Sequence, residues 1–226
     1  MTGKALFEGR EFSAFLFDMD GTILTSIAAT ERVWTRWAIK HGLDVESFLP
    51  TMHGVRAVET VRKLNIPGVD AEREAQDLAD AEMLDTGGIA PIPGALAFLA
   101  SLPSDRWAIV TSAPRALALV RCGAAGIPLP DVMVTAEDVT EGKPKPDCFL
   151  LAAQRLGFAG SDCLVFEDAV AGIAAGEAAG ASVVVISATH SHAMETPHLM
   201  VPGYEELRTV AGPKGLRLVE RVAKVA

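Results

Sequence analysis

Basic residues are scarce in this chain relative to acidic ones, because 20 Lys and Arg stand against 29 Asp and Glu. The formal net charge at pH 7 is therefore −9. A protein that binds the phosphate backbone of a nucleic acid needs a basic surface. The charge balance argues against a nucleic-acid partner.

Cysteine is rare as well. Cys122, Cys148 and Cys163 are odd in number, lie far apart and form no Cys-x-x-Cys pair. Disulfide frameworks and zinc sites need paired or regularly spaced cysteines. We therefore expect reduced cysteines that pack as small hydrophobic side chains.

Long hydrophobic runs are also missing. Runs such as residues 183–186 are far shorter than the ~20 residues with which a helix crosses a bilayer. The N-terminal residues include acidic side chains and no long apolar region, which is unlike a signal peptide. The expected location is the cytoplasm, and no membrane partner is expected.

The chain does contain a pair of carboxylates directly after an apolar run. Residues 14–17 predict a buried strand, and Asp18 and Asp20 follow it, with Gly21 behind them. Side chains two residues apart in a strand point the same way, so the carboxylates are crowded. A divalent cation such as Mg²⁺ relieves such repulsion. The same residues also fit a plain Asp-Gly turn, in which Asp18 only bonds backbone groups.

The next part of the chain has the periodicity of helices. Amphipathic helices are predicted from residue 27 to about 42, near residues 55–64 and near residues 71–84. No strand pattern interrupts them. The sequence therefore predicts a helical insertion of ~60 residues, which we place at residues 26–89.

The remainder of the chain alternates strands with helices. Short apolar strands are predicted at residues 107–110, 132–134, 163–166 and 183–186. The helix that begins at Pro114 is predicted to end at Gly123, and a hairpin is favoured over two helical pieces for residues 207–219. Continuous apolar strands between helices are typical of an α/β fold, in which helices cover both faces of a parallel sheet.

Polar residues follow two more strands of this predicted sheet. Thr111 and Ser112 end one strand, and Glu167 and Asp168 end another. Parallel sheets gather functional groups at the carboxyl ends of their strands. The hydroxyl and backbone N–H groups of Thr111 and Ser112 suit a phosphate oxygen, and the two carboxylates suit a cation. Each pair alone also fits an ordinary helix cap.

The loop Gly-Lys-Pro-Lys-Pro-Asp at residues 142–147 adds positive charge. Its two prolines restrict the backbone and hold either Lys143 or Lys145 in a defined place. A solvated basic turn before a helix is the alternative. Together these residues supply the parts that phosphoryl transfer requires. Carboxylates can hold a cation, a lysine and hydroxyls can bind a phosphate, and one carboxylate is free to attack.

Four ordered motifs in this chain resemble those of the haloacid dehalogenase superfamily. They are Phe-Asp-Met-Asp-Gly-Thr-Ile-Leu at residues 17–24, Thr-Ser at 111–112, Gly-Lys-Pro-Lys-Pro-Asp at 142–147 and Val-Phe-Glu-Asp-Ala-Val-Ala-Gly at 165–172. The similarity extends over nearly the whole chain. His-Gly-Val-Arg at 53–56 and Trp-Ala-Ile-Val-Thr-Ser at 107–112 are also similar to bacterial sugar phosphatases and to yeast-type glycerol-phosphate and 2-deoxyglucose-6-phosphate phosphatases.

The resemblance implies a fold and a division of labour. It implies a Rossmann-like parallel-sheet core from residues 1–25 and 90–226, with an inserted all-helical cap domain at residues 26–89. Asp18 is implied as the nucleophile that forms an aspartyl-phosphate. Asp20 is implied as the acid that protonates the leaving alcohol and as the base that then deprotonates water.

The resemblance also implies which residues bind ligands. The implied Mg²⁺ ligands are the Asp18 side chain, the Asp20 backbone carbonyl and the Asp168 side chain, with Glu167 close by. The implied phosphate-binding residues are Thr111, Ser112 and Lys143, since Lys143 takes the motif position directly after Gly142. From the cap, we expect His53 and Arg56 to contact the substrate.

Departures from related proteins narrow the expected activity. Related sugar phosphomutases carry a His at the position of Thr30 and a Lys-Gly-x-Ser-Arg run where this chain has residues 53–57. Both differences favour hydrolysis over a mutase reaction. We expect a Mg²⁺-dependent phosphatase that acts on a small-molecule phosphate ester, a sugar or polyol phosphate. A sugar phosphomutase and a non-catalytic protein of the same fold are the alternatives.

Overall fold

The computed structural model describes residues 4–190 and 194–221 of the chain. Its strands are β1 (Ala14–Phe17), β2 (Leu24–Thr25), β3 (Ala90–Pro91), β4 (Trp107–Val110), β5 (Val132–Val134), β6 (Cys163–Glu167), β7 (Ser182–Ile186), β8 (Leu199–Val201), β9 (Leu207–Ala211) and β10 (Leu216–Glu220). Six of them form a sheet in the order β5-β4-β1-β6-β7-β8. Every neighbouring pair in that sheet is parallel.

Helices cover both faces of this sheet. In chain order, the α-helices of the described residues are α1 (Ile27–Lys40), α2 (Val45–Phe48), α3 (Ala57–Leu64), α4 (Ala71–Met83), α5 (Ala95–Ala100), α6 (Arg115–Ala125), α7 (Asp147–Leu156) and α8 (Val170–Ala178), and only α5 to α8 cover the sheet. Side chains of α5 and α6 pack on one face of the sheet, and side chains of α7 and α8 pack on the other. The predicted α/β fold is confirmed.

The central strand β1 determines where the sheet ends. It pairs with β4 on one side and β6 on the other, and its last residue, Phe17, lies level with Ile109 and Phe166. Side chains of β1 alternate between the two faces, so Phe17 packs in one core and Leu16 in the other. The rings of Phe17 and Phe166 stack with their centroids 4.6 Å apart. The residues that follow β1, β4 and β6 therefore emerge together.

The helical segment, which comprises the residues between β2 and β3, is connected to the sheet-containing part of the protein at one place. Strands β2 and β3 are antiparallel, with Leu24 opposite Pro91 and Thr25 opposite Ala90. Helices α1 to α4 lie between these strands, and their buried side chains, among them Trp34, form a core of their own. The predicted helices are confirmed. The division of the chain into domains at residues 26 and 89 stays a prediction.

The end of α6 differs from the prediction. The helix passes through Gly123 and ends at Ala125, where Gly126 takes a left-handed backbone conformation with φ 68° and caps it. A glycine inside a helix costs only about 1 kcal/mol relative to alanine, so Gly123 does not stop the helix.

Other predictions of local structure are confirmed. Strands β9 and β10 pair as an antiparallel hairpin. Cys122, Cys148 and Cys163 are free and buried. Within residues 4–190 and 194–221, the helices are too short or too polar to span a bilayer.

Candidate active site

The strand ends place the predicted polar residues at one edge of the sheet. Asp18 follows β1, Thr111 follows β4, and Glu167 closes β6 with Asp168 behind it. The backbone N–H of Asp18 donates to the carbonyl of Phe166 at 2.9 Å, so the pairing of β1 with β6 extends as far as this carboxylate. Two carboxylate-bearing strand ends therefore lie side by side.

Lys143 joins these two strand ends. Its Nζ donates to Asp18 Oδ1 at 2.5 Å, to Glu167 Oε1 at 2.7 Å and to the carbonyl of Val110 at 3.2 Å. The lysine side chain is only 1% exposed. Lys145 in the same loop is exposed instead. Of the two lysines in the loop, the one at the motif position, Lys143, is the one that lies against the carboxylates.

Burial changes the protonation of this cluster. Burial raises the pKa of Asp18 to about 7, because the lowering effect of Lys143 only partly offsets it and Glu167 adds repulsion. Burial and the negative charges of Glu167 and Asp18 raise the pKa of Asp168 well above its ordinary value. Burial alone lowers the pKa of Lys143, but Asp18 and Glu167 raise it above its ordinary value overall. Three carboxylates thus share one ammonium, and the raised pKa values of Asp18 and Asp168 show that ionising all three is unfavourable without a further cation.

Three carboxylates of the cluster can hold a metal ion. One oxygen each from Asp18, Glu167 and Asp168 lies within 4.8 Å of the others. Asp18 and Asp168 line a cavity, whereas Glu167 is fully buried behind them. Glu167 Oε2 accepts the backbone N–H groups of Asp168 and Ala169, both at 2.8 Å. Glu167 thus fixes the turn into α8, and Asp18 and Asp168 face the space where an ion can bind.

Two glycines leave room for these carboxylates. A Cβ atom on Gly172 in α8 would lie 1.5 Å from Glu167 Oε1, and a Cβ atom on Gly21 would lie 2.0 Å from Asp168 Oδ2. Gly21 also has φ 88°, a conformation that side chains with a Cβ rarely adopt. Both carboxylates therefore lie directly against the backbone.

Asp20 has partners of its own. Ser26 Oγ donates to Asp20 Oδ1 at 2.6 Å, and Arg121 Nη1 donates to Asp20 Oδ2 at 2.9 Å. Arg121 was not among the residues predicted from the sequence. A signal was present, because Arg121 follows Leu117 and precedes Ala125 by four residues on the buried face of α6.

A cavity of about 1840 Å³ lies between this edge of the sheet and the helices α1 to α4. Thr111 and Ser112 both line it. Thr111 Oγ1 accepts the backbone N–H of Ala113 at 3.0 Å, and Ser112 Oγ donates to the carbonyl of Gly54 at 3.0 Å. Ser112 therefore links the sheet edge to the helical segment, in addition to facing the cavity.

His53 and Arg56 border the same cavity from the helical segment. His53 Nε2 lies 3.5 Å from Glu31 Oε1. Arg56 pairs with Glu59 and also donates to the carbonyls of Val139 at 3.0 Å and Thr140 at 2.8 Å. The guanidinium of Arg56 thus holds a loop of the sheet-containing part, and the role of both residues towards a ligand stays a prediction.

Replacing Gly172 with Ala tests the close packing of Glu167. The added methyl group forces Glu167 away from Lys143 and leaves buried charges poorly paired. We expect Gly172→Ala to lower the free energy of unfolding by about 2 kcal/mol or more in urea denaturation.

Gly123→Ala is the matched control, since Gly123 also lies inside a helix but an added Cβ meets nothing within 4 Å. We expect this variant to be unchanged or more stable by about 0.5–1 kcal/mol. Equal effects of the two substitutions would contradict the packing of Glu167 against α8.

Comparisons with known proteins agree with this geometry. A profile of haloacid dehalogenase-like hydrolases matches residues 12–180. Hexitol phosphatase A of Escherichia coli (strain K12) is 40% identical over 206 residues, which cover 89% of this chain and 95% of that protein. Glycerol-1-phosphate phosphohydrolase 1 of Saccharomyces cerevisiae is 34% identical over 200 residues, covering 79% and 76%.

A solved structure is similar as well. The crystal structure of a hydrolase from Pseudomonas syringae superposes with a TM-score of 0.69 at 27% identity and covers 77% of this chain and 84% of that one. The family profile spans most of the chain, including the ends of β1, β4 and β6 and the Lys143 loop. The chain belongs to the haloacid dehalogenase-like hydrolase family.

Proposed function

We propose that this protein is a Mg²⁺-dependent phosphatase that hydrolyses phosphate monoesters of small sugars or polyols. The observation that best supports this function is the 2.5 Å hydrogen bond from Lys143 Nζ to Asp18 Oδ1. It lies within the carboxylate cluster that borders the cavity. In that arrangement a phosphoryl group meets a nucleophile and a positive charge together. The substrate class rests on the similarity to Hexitol phosphatase A and to the yeast glycerol-1-phosphate phosphohydrolase.

Asp18 is the proposed nucleophile. One of its carboxylate oxygens attacks phosphorus, the bond between phosphorus and the ester oxygen breaks, and the phosphoryl group remains on Asp18 as an aspartyl-phosphate. Lys143 lies beside Asp18 and neutralises the charge on the phosphoryl oxygens. Because Lys143 is held by Glu167 as well, it is already in place before the substrate binds.

Asp20 is the proposed general acid and base. It lines the cavity two residues beyond the nucleophile. In the first step it donates a proton to the leaving oxygen, and the alcohol departs neutral. In the second step it takes a proton from the water that attacks phosphorus, which frees inorganic phosphate and restores the carboxylate of Asp18. Each step returns Asp20 to the protonation state that the other step requires.

The carboxylates fit a divalent cation, since their combined charge exceeds that of Lys143 and burial raises the pKa of Asp18 and Asp168. We propose that the side chains of Asp18 and Asp168 and the backbone carbonyl of Asp20 hold Mg²⁺, with Glu167 behind them. When bound, Mg²⁺ offsets the negative charge of the phosphoryl oxygens and helps to orient them.

The remaining phosphate oxygens are assigned to Thr111 and Ser112, both of which line the cavity. Residues 26–89 are the proposed cap, which excludes water from the reacting groups. His53 and Arg56 remain the proposed cap contacts with the rest of the substrate. Thr30 argues against a phosphomutase, since its hydroxyl accepts a hydrogen bond from Arg121 at 2.8 Å where mutases carry a histidine.

Asp18→Asn tests the nucleophile. Because an amide does not attack phosphorus, we expect kcat for sorbitol 6-phosphate to fall at least ~10³-fold. Asp105→Asn, at an exposed aspartate, is the control and should keep kcat within about twofold. Retained turnover in Asp18→Asn would refute the assignment. With a sugar phosphate as the substrate of the wild-type protein, formation of an isomerised sugar phosphate in place of inorganic phosphate would favour a mutase.

Thermal unfolding tests the metal site without reference to activity. Because its pKa is raised to about 7, Asp18 keeps its proton in the folded protein between about pH 4 and pH 7, whereas the same carboxyl in the unfolded chain has released it. Without metal, stability should therefore fall as pH rises from about 4 to about 7. We expect saturating Mg²⁺ to raise Tm by about 5 °C or more at pH 8 and by less at pH 5.5, where protons compete with the ion.

NaCl at matched ionic strength and the variant Asp168→Asn are the controls for this measurement. Each should show little of the pH 8 shift that Mg²⁺ gives with the wild-type protein. A Mg²⁺ shift of the same size in Asp168→Asn would contradict the proposed ligand set.

His53→Ala tests the cap contact. Since His53 is assigned to the body of the substrate, we expect KM for sorbitol 6-phosphate to rise about 5- to 10-fold with kcat nearly unchanged. Turnover of p-nitrophenyl phosphate should be little affected. His198→Ala is the control, because His198 pairs with Glu177 away from the cavity. Unchanged kinetics across sugar and polyol phosphates would count against this role of His53.

A further inference from the structure

Arg121 is a buried cation that joins three parts of the chain. From α6, its Nη1 donates to Asp20 Oδ2 at 2.9 Å, after the end of β1. Its Nη2 donates to Thr30 Oγ1 in α1 at 2.8 Å and lies 3.1 Å from Glu82 Oε2 in α4. The arginine is only 5% exposed. A guanidinium buried to this extent needs such partners, because water no longer solvates its charge.

Glu82 is held in place from its other side. Trp34 Nε1 donates to Glu82 Oε1 at 3.1 Å, and Glu82 is 8% exposed. Both oxygens of Glu82 therefore have partners within the protein. The two Nη atoms of Arg121 likewise point to protein oxygens. The guanidinium is therefore suited to fixing the positions of its partners and less to binding a substrate.

The group that Arg121 holds is the carboxyl of Asp20. Ser26 fixes Oδ1 and Arg121 fixes Oδ2, so rotation of the carboxyl about its Cβ–Cγ bond is blocked at both oxygens. Without Arg121, one oxygen of Asp20 loses its partner and Glu82 loses its cation. A displacement of 1 Å in a reacting group is enough to lower a rate by about 10²-fold.

We propose that Arg121 is a positioning residue that aligns the Asp20 carboxyl for proton transfer, and that Glu82 of the helical segment holds Arg121 in place for this task. The inference rests on the proposed function, in which Asp20 protonates the leaving oxygen. It assigns to α4, which lies outside all four motifs, a share in the alignment of that acid.

The leaving group provides a readout specific to this role. An alkoxide from a polyol phosphate is strongly basic and needs a proton as it departs, whereas p-nitrophenolate departs without one. A misaligned Asp20 therefore slows the alkyl ester selectively. A general loss of structure slows both esters alike.

The experiment compares kcat/KM for sorbitol 6-phosphate and p-nitrophenyl phosphate in Arg121→Met. We expect a fall of about 10-fold or more for the alkyl ester and less than about threefold for the aryl ester. Arg32→Met is the matched control, because Arg32 joins α1 to Asp85 beyond α4 without touching Asp20. It should leave the ratio of the two values unchanged.

A double-mutant cycle tests whether Arg121 acts through Asp20. In the Asp20→Asn background, we expect Arg121→Met to change kcat/KM for the aryl ester by less than about twofold and to add no further selectivity. Equal losses for both esters, or the same loss with and without Asp20, would overturn the inference.

Arg121→Lys keeps the test decisive if Arg121→Met does not fold. An ammonium does not reproduce the fork that spans Asp20 and Glu82, so a selective loss of about threefold to 10-fold is expected for the alkyl ester. Failure of the proposed function has a different signature, which is turnover in Asp18→Asn. The positioning role alone would be overturned by the following combination of results. Asp18→Asn is inactive and Asp20→Asn slows the alkyl ester selectively, but the Arg121 variants keep the wild-type ratio of kcat/KM for the two esters.

Discussion

The burial of Lys143 between Asp18 and Glu167 is the interaction on which the rest of the site depends. Parallel pairing brings β1 beside β6, so two carboxylates come together with little exposure to solvent. Removing one partner of such a buried group leaves an uncompensated charge and costs several kcal/mol, about 3–5 kcal/mol in measured cases. The same ammonium therefore stabilises the sheet edge and, in the proposed mechanism, supplies the charge that a phosphoryl group requires.

The helical segment supports the proposed catalytic groups Lys143 and Asp20 from two sides. On one side, Glu59 accepts the backbone N–H of Gly142 at 3.2 Å, directly before Lys143, and Arg56 binds the loop that precedes it. On the other side, Glu82 reaches Asp20 through Arg121. The two groups that flank Asp18 thus each have a support in the helices. Alignment at Asp18, the proposed nucleophile, and the position of the helical segment are therefore physically linked.

Most of the sheet was predictable from the sequence because its signals are local. Apolar runs followed by polar residues located the ends of β1, β4 and β6, and the motifs located Lys143 in its loop. Without the family motif, composition and spacing do not decide between Lys143 and Lys145, since which lysine is buried depends on the packing of distant strands. Arg121 was missed for the same reason. Its partner Asp20 lies 101 residues away in the sequence, so an arginine on an apolar helix face has no visible counter-ion.

The pairing of β2 with β3 has a consequence for how this protein can change over evolution. Because Leu24 and Pro91 are opposite partners, the chain enters and leaves the helical segment at adjacent positions in space. A segment attached in this way can be exchanged without altering the sheet, so under the proposed function substrate choice can diversify while the chemistry at the end of β1 is retained. Arg121 sets the condition for such an exchange. An incoming module has to present an anion where Glu82 now lies, or the cation on α6 is left buried with only part of its charge balanced.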